Sequence, residues 1–274
     1  MVLSDTKTDP ERSPIDDVSY LTRSEHRVSV LVALTDRSRS RSELSELTGV
    51  SSSTIRRTLC EFEARNWIRR DGSQFEATQL GTFVAATMTE LLERFDIERT
   101  LRDVWHWLPG DESGFTIELC ADAVVTVADS NDPYAPVNRF ESLLRETSEF
   151  RFVGSDVALL EPCKDVLRRR IVDGMRTEII DPPRAARYIL STYPEHCVAP
   201  LESGELTVFT HDDLPPYGIG LFDDRVIVSC YEENSGTVSA VIDTPVPAAR
   251  EWAESVYDRY RSAAQPLEPE RLVE

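Results

Sequence analysis

The chain has 274 residues, 41% of them apolar, enough for about two domains of ordinary size with buried cores. Its 49 acidic and 30 basic side chains leave a formal charge of -19 at pH 7. No apolar run approaches the 18 or so residues of a membrane span, so a membrane-spanning role is excluded, and any surface for a polyanion has to be local.

The first stretch, "MVLSDTKTDPERSPIDD", is polar and acidic and has no apolar h-region, so it is not a secretory signal. Residues 1–20 read as a disordered acidic tail of a cytoplasmic protein. The segment Thr22-Arg23-Ser24-Glu25 fits a capping box, and a helix carrying Val28, Leu31, Val32 and Leu34 follows it. "DRSRSRS", residues 36–42, reads as a polar break. "SELSELTG" is a short helix with Leu44 and Leu47 inward and Gly49 as its stop.

Ser51 caps the next helix, over about 52–65, where Ile55, Leu59 and Phe62 fall on one face. "WIRR", "DGS" and "QFEAT" then read as strand, tight turn and strand. Helix, helix, turn, helix and hairpin are the parts of a winged helix-turn-helix. It occupies residues 21–79. Residues 80–108 form a long helical linker, with Phe83, Val84, Met88, Leu91, Leu92, Phe95, Ile97, Leu101, Val104 and Trp105 as its apolar positions. Such a linker is expected to be a homodimer seam.

After the turn-rich "PGDESG" the pattern alternates. Strands are expected at 115–120, 123–128, 150–154, 177–180, 206–210, 217–222, 225–231 and 237–242. Helices are expected at 134–147, 161–173, 183–192 and 246–264. Residues 109–274 are therefore an α/β domain. The fold class is an α+β winged helix-turn-helix joined by helices to an α/β C-terminal domain.

The charge is unevenly placed. Residues 21–80 hold 10 arginines against 8 acids, net +2, whereas residues 1–20 are net -3 and residues 81–274 net -18. Lysine is nearly absent, with Lys7 and Lys164 against 28 arginines. That balance resembles proteins of salt-loving archaea, in which a carboxylate-rich surface is screened at molar salt, where the Debye length is about 3 Å. On this reading the acidity reports the solvent, not the ligand.

The near-neutral segment carries the DNA-binding candidates. In a helix-turn-helix the start of the second helix reaches base edges in the major groove. Ser51, Ser52, Ser53 and Thr54 offer hydroxyls there, beside helix N-terminal N–H groups that favour phosphate. Arg56 and Arg57 face outward, and arginine reads guanine through two hydrogen bonds. Arg69 and Arg70 sit beside the wing turn. Arg41, with Arg37 and Arg39, adds phosphate contacts.

"SELTGVSSSTIRRTLCEFEARNWI" resembles the helix-turn-helix of the MarR and ArsR superfamilies over about 60 residues. "FEATQLGTFVAATMTELL" resembles the wing-to-linker segment of archaeal regulators of the methanogenesis-regulator type. "VFTHDDLPPYGIGLFDDRVIVSCYEENSGTVSAVIDT" and "AREWAESVYDRYRSAAQPLEP" resemble that family's C-terminal domain and closing helix. The resemblance spans nearly the whole chain after residue 20. It implies a dimeric archaeal transcription factor with a ligand-sensing C-terminal domain related to the phospholipase D fold.

That fold's enzymes use an HxK pair. Here none of His26, His106, His196 and His211 has lysine two residues on. GxSxG, Walker and HExxH motifs are absent too, so no enzyme activity is expected. No metal or cofactor is expected either. "HDD" at 211–213 and His196-Cys197 lack metal-site spacing. Cysteines 60, 120, 163, 197 and 230 form no CxxC and read as small hydrophobes in a reducing cytosol.

Small molecules sit beyond the C-terminal ends of strands in open α/β sheets. The effector candidates are therefore Ser155, Asp156, Asp181, His211 and Asp212, with Arg184 and Tyr188 on the following helix. Two alternatives stay open. One is a redox-responsive regulator acting through a cysteine such as Cys60. The other is a ligand-independent factor whose C-terminal domain only dimerises.

Overall fold

The computed structural model describes residues 13–110, 113–154, 157–231 and 237–267. The chain divides into two compact units, residues 1–95 and 96–274.

The first unit begins with a departure from the sequence reading. Residues assigned to a disordered tail form helix α1 (Pro14–Thr22), with Pro14 at its first position. Ser13 caps it. The Ile15 amide donates to Ser13 Oγ, and the Asp16 carboxylate accepts from the Ser13 amide. Leu21 goes into the core, and Arg65 holds the helix down by donating to Asp17 (2.9 Å) while stacking over Tyr20. Residues 1–12 lie outside the described residues.

The expected capping box at Thr22 does not form. Thr22 ends α1 and donates back to the Val18 carbonyl, and Ser24 is the cap residue of α2 (Glu25–Asp36). The box occurs instead at Ser40 and Glu43, opening α3 (Arg41–Thr48). The polar break likewise holds structure: β1 (Arg39–Ser40) pairs with the hairpin. α3 ends at Gly49, whose φ of 65° is the left-handed conformation that glycine adopts without steric cost.

Ser51 accepts from the Thr54 amide and starts α4 (Ser52–Ala64). Ile55, Leu59 and Phe62 are all buried. β2 (Ile68–Asp71) and β3 (Gln74–Ala77) pair antiparallel around Gly72, giving the sheet order β1-β3-β2. One core joins Leu31, Leu44, Phe62, Trp67 and Met88. Each large side chain buried there contributes about 1.5–3 kcal/mol. α5 (Gln79–Leu101) lies so close to the hairpin that a Cβ on Gly81 would stand 1.9 Å from the Trp67 carbonyl oxygen. Only glycine fits there.

The second unit is built on a mixed sheet with strand order β11-β7-β6-β5-β8-β9-β10-β4 among the described residues. Its strands are β4 (Val124–Val127), β5 (Glu149–Val153), β6 (Arg176–Asp181), β7 (Leu206–Thr210), β8 (Gly218–Leu221), β9 (Val226–Tyr231), β10 (Val238–Thr244) and β11 (Gln265–Pro266). β5, β6 and β7 run parallel, and the other pairings are antiparallel. The expected strand at 115–120 is instead a 3-10 helix, Ile117–Cys120, with Leu119 and Cys120 buried. Its apolar residues fill a corner of the core without joining the ladder.

Side-chain alternation divides the sheet faces. Phe150, Phe152 and Ile179 pack on α6 (Ala135–Glu146), α7 (Val157–Leu160) and α8 (Lys164–Val172). Val153, Ile180 and Ile219 pack on α11 (Pro247–Ala263). α9 (Pro183–Thr192) was expected, but α10 (Pro194–Ser203) was not. Pro194 occupies its first helical turn, where no amide is needed.

Asp243 on β10 is 0% exposed. It accepts two hydrogen bonds from Arg139 (2.8 and 2.7 Å) and a further one from Arg225. This ties α6 to the sheet.

Candidate nucleic-acid interface

With Ile55, Thr58, Leu59 and Phe62 buried, helical geometry sends Ser52, Ser53, Arg56, Arg57 and Cys60 to the exposed side of α4. Ser51 Oγ lies 3.0 Å from both Ser53 Oγ and Thr54 Oγ1, so the hydroxyl cluster is organised around the helix start. Arg56 and Arg57 make no ion pair among the described residues. Of the acids on this helix, Glu61, one turn beyond Arg57, accepts from Arg65, and Glu63 shares a concave surface with Arg56.

A concave surface of about 480 Å³ lies between α3, α4 and the hairpin. Arg41, Ser52, Arg56, Cys60, Arg70 and Ser73 are among its lining residues. Three of the predicted arginines therefore converge. Arg70 is held by a bond to the Gly72 carbonyl (2.8 Å) and stacks over Phe75. Arg69 is paired with Glu76 across the hairpin.

The other arginines before α3 serve the fold. Arg37 pairs with Glu43 at 3.4 Å. Arg39 donates to the Ala33 carbonyl at 2.9 Å and pairs with Asp36. Arg37 and Arg39, expected to add phosphate contacts, are thus engaged by protein partners here. Arg41 alone of the three has no such partner among the described residues.

His26 Nε2 lies 3.1 Å from Thr58 Oγ1 and joins α2 to α4. Burial, then the charges of Arg27 and Arg57, hold its ring below the ordinary histidine range, which keeps it uncharged behind the surface. Nothing in the sequence pattern marked this support.

In the second unit, the ends of β5, β6 and β7 lie at one edge of the sheet, as parallel neighbours must. Ser155 and Asp156 lie outside the described residues. Asp181 is 6% exposed, Arg184 and Tyr188 stand at the surface of α9, and Asp212 is exposed. His211 packs edge-on to Tyr260 and accepts from the Asp213 amide.

Asp181 also lines a cavity of about 90 Å³ beneath α8, α9 and α10, whose other polar lining residues are Glu161, Lys164, Arg168, Tyr193 and His196. Sequence reasoning missed this set because most of it comes from α8 and the unexpected α10, not from strand ends. Lys164, one of two lysines in the chain, was the available signal.

Among the described residues no group of three or more histidine, cysteine or carboxylate side chains is placed to hold a metal ion. No helix there is long and apolar enough to cross a membrane.

Two family models match the chain. Residues 15–100 match the HVO_A0261 N-terminal domain, and residues 133–263 match the middle domain of methanogenesis regulatory protein FilR1. No curated protein matches the sequence. Among solved structures it is similar to TrmBL2, described as an archaeal chromatin protein with a novel mode of DNA binding. Identity there is 13%, over 93% of this chain and 100% of that one, with a TM-score of 0.41.

A phosphatidylserine synthase from Haemophilus influenzae is 15% identical over 53% of this chain and 39% of its own, TM-score 0.40. An IclR-family transcriptional regulator from Rhodococcus is 17% identical over 95% and 98%, TM-score 0.19. Residues 133–263 are thus similar to a domain of a regulatory protein.

Proposed function

We propose that the chain is a sequence-specific transcription regulator whose first unit is a winged helix-turn-helix. Its α4 is the recognition helix and its β2–β3 hairpin the wing. The observation that carries this is the convergence of Arg41, Arg56 and Arg70 on one concave surface, with Arg56 and Arg41 free of ion pairs among the described residues. Ser51, Ser52, Ser53 and Thr54 add donors at the helix start, and Arg57 extends the basic face. Arg69 takes part only by exchanging Glu76 for phosphate.

The protein acts as a homodimer. Two recognition helices then meet half-sites about 34–36 Å apart. Support comes from α5, where Phe83 is 72% and Phe95 54% exposed. Aromatic side chains left in water on a long helix mark a contact surface. Phe83→Glu with Phe95→Glu is expected to convert dimer to monomer in sedimentation equilibrium. A mass unchanged from wild type would place the dimer contact elsewhere.

The second unit is read as the effector domain, a phospholipase-D-like sheet without that fold's catalytic pair, in a haloarchaeal protein. A chromatin binding map across the genome, made in cells carrying a tagged copy, tests the whole reading. The expected result is discrete peaks over a palindrome-like motif. A flat map sinks it.

A redox switch is the second reading, and Cys60 is the residue that favours it. Cys60 is exposed and lines the same surface as Arg56, whereas Cys120, Cys163, Cys197 and Cys230 are buried. Burial pushes the Cys120 and Cys163 thiols up to about 12 and raises Cys197, so they hold little thiolate at neutral pH. A thiol reagent is expected to label one cysteine in the native protein and five after denaturation. Oxidant-sensitive operator binding that survives Cys60→Ser would exclude Cys60 as the switch.

A further inference from the structure

The cavity under α8, α9 and α10 has mainly apolar walls, including Leu160, Leu167, Ile179 and Val208. The charged and polar side chains around it are nearly all committed to protein partners. Tyr193 donates to Glu161. Lys164 donates to the Glu161 carbonyl (3.4 Å) and lies over the Tyr193 ring. Arg168 donates to the Glu195 carbonyl (3.2 Å), and His196 Nε2 lies 2.9 Å from Asp165.

Asp181 is the exception. Its Oδ1 is buried and has no hydrogen-bond partner. Natural proteins rarely leave such an atom unmatched, because desolvating it without a partner is costly. Water is a poor answer, since a buried water wants two to four polar partners and these walls are apolar.

We infer that this cavity is a binding site for a small, uncharged, mainly apolar molecule carrying one hydroxyl or N–H donor, which it gives to Asp181. The size follows from comparison: an apolar cavity of about 150 Å³ holds benzene, so 90 Å³ suits about three to five heavy atoms. Charge is disfavoured by the walls. Desolvation raises Asp181 to about 7, so near neutrality the carboxyl is held partly in its uncharged form, which both donates to and accepts from a hydroxyl. The site deepens the effector reading of the second unit and rests on it only for its regulatory meaning.

The test uses the full chain in molar salt and saturation-transfer NMR with 1-butanol and its donor-less counterpart, 1-fluorobutane. The expected result is a Kd for 1-butanol about ten-fold lower, the worth of one hydrogen bond to a buried carboxyl. Asp181→Val is expected to fold, to be no less stable than wild type because an unmatched polar atom is removed, and to bind the two compounds alike. Ala186→Leu is expected to fill the cavity and abolish both signals.

Equal affinities in the wild type, or no binding of either compound, would overturn the assignment, and so would butanol binding that Ala186→Leu leaves intact. Gel shifts with and without 1-butanol separate this from the effector reading. Binding in the cavity with unchanged operator affinity sinks the effector role and leaves the site. Absence of binding sinks the site and leaves the DNA assignment untouched.

Discussion

Replacing Arg56 and Arg57 together by alanine is expected to reduce operator affinity at least about 100-fold while leaving the fold intact. A well-placed arginine reading a base contributes roughly 1–3 kcal/mol of discrimination, and two copies in a dimer multiply the loss. Both side chains are exposed, and neither has an ion-pair partner among the described residues. Substitutions of that kind usually shift stability by less than about 0.5 kcal/mol.

The measurement is a gel shift at matched salt beside a thermal melt. Salt titration separates geometry from charge, because each lost phosphate contact lowers the slope of log K against log salt by about 0.9. A surface carrying only +2 over residues 21–80 has little to spend on general phosphate attraction. The variant is therefore expected to lose discrimination between operator and random DNA. Wild-type gel shifts from the double variant would end the assignment of α4 as recognition helix.

Asp243→Ala is expected to cost the second unit on the order of 3 kcal/mol, lowering its melting temperature by about 6–12 °C. Asp243 is fully buried, and its removal strips Arg139 and Arg225 of their partner inside the structure. The side chains of those arginines are 30% and 20% exposed. They recover some hydration, which keeps the loss below that of a sealed charge. Screening gives little relief because the carboxylate is out of solvent, so the deficit persists in molar salt.

Arg102→Ala is the control. Its pair with Glu98 is exposed on both sides, and such solvent-screened pairs add little to stability. Melting curves that fail to separate the two variants would show that the buried carboxylate does not hold α6 to the sheet.

Local signals were legible wherever the chain's own neighbours decide the structure. Gly49 and Ser51 bound the turn between α3 and α4, and the spacing of Ile55, Leu59 and Phe62 sets which side of α4 is buried. Asp71-Gly72 makes the hairpin, and Asp223-Asp224 makes the turn between β8 and β9. Strands β4 to β10 and helices α6, α8, α9 and α11 lie close to where alternation and periodicity put them. Such features depend on periods of 2 and 3.6 residues and on turn chemistry, all within a window of a few residues.

What the sequence by itself determined, then, was the order of elements, the outward face of α4 and the uneven charge. Partnership between distant residues only the tertiary structure decided. Arg65 recruits residues 14–22 into a helix by meeting Asp17, 48 positions away, so a stretch that looks like an acidic tail is folded. Arg37 and Arg39 are indistinguishable from Arg41 by type and spacing, yet Glu43, Asp36 and the Ala33 carbonyl take two of the three. Asp181 looks like any strand-end carboxylate until α8, α9 and α10 close over it and every other polar side chain around the cavity finds a partner. Side-chain chemistry is local, but which groups are left unspent depends on the whole set of long-range contacts.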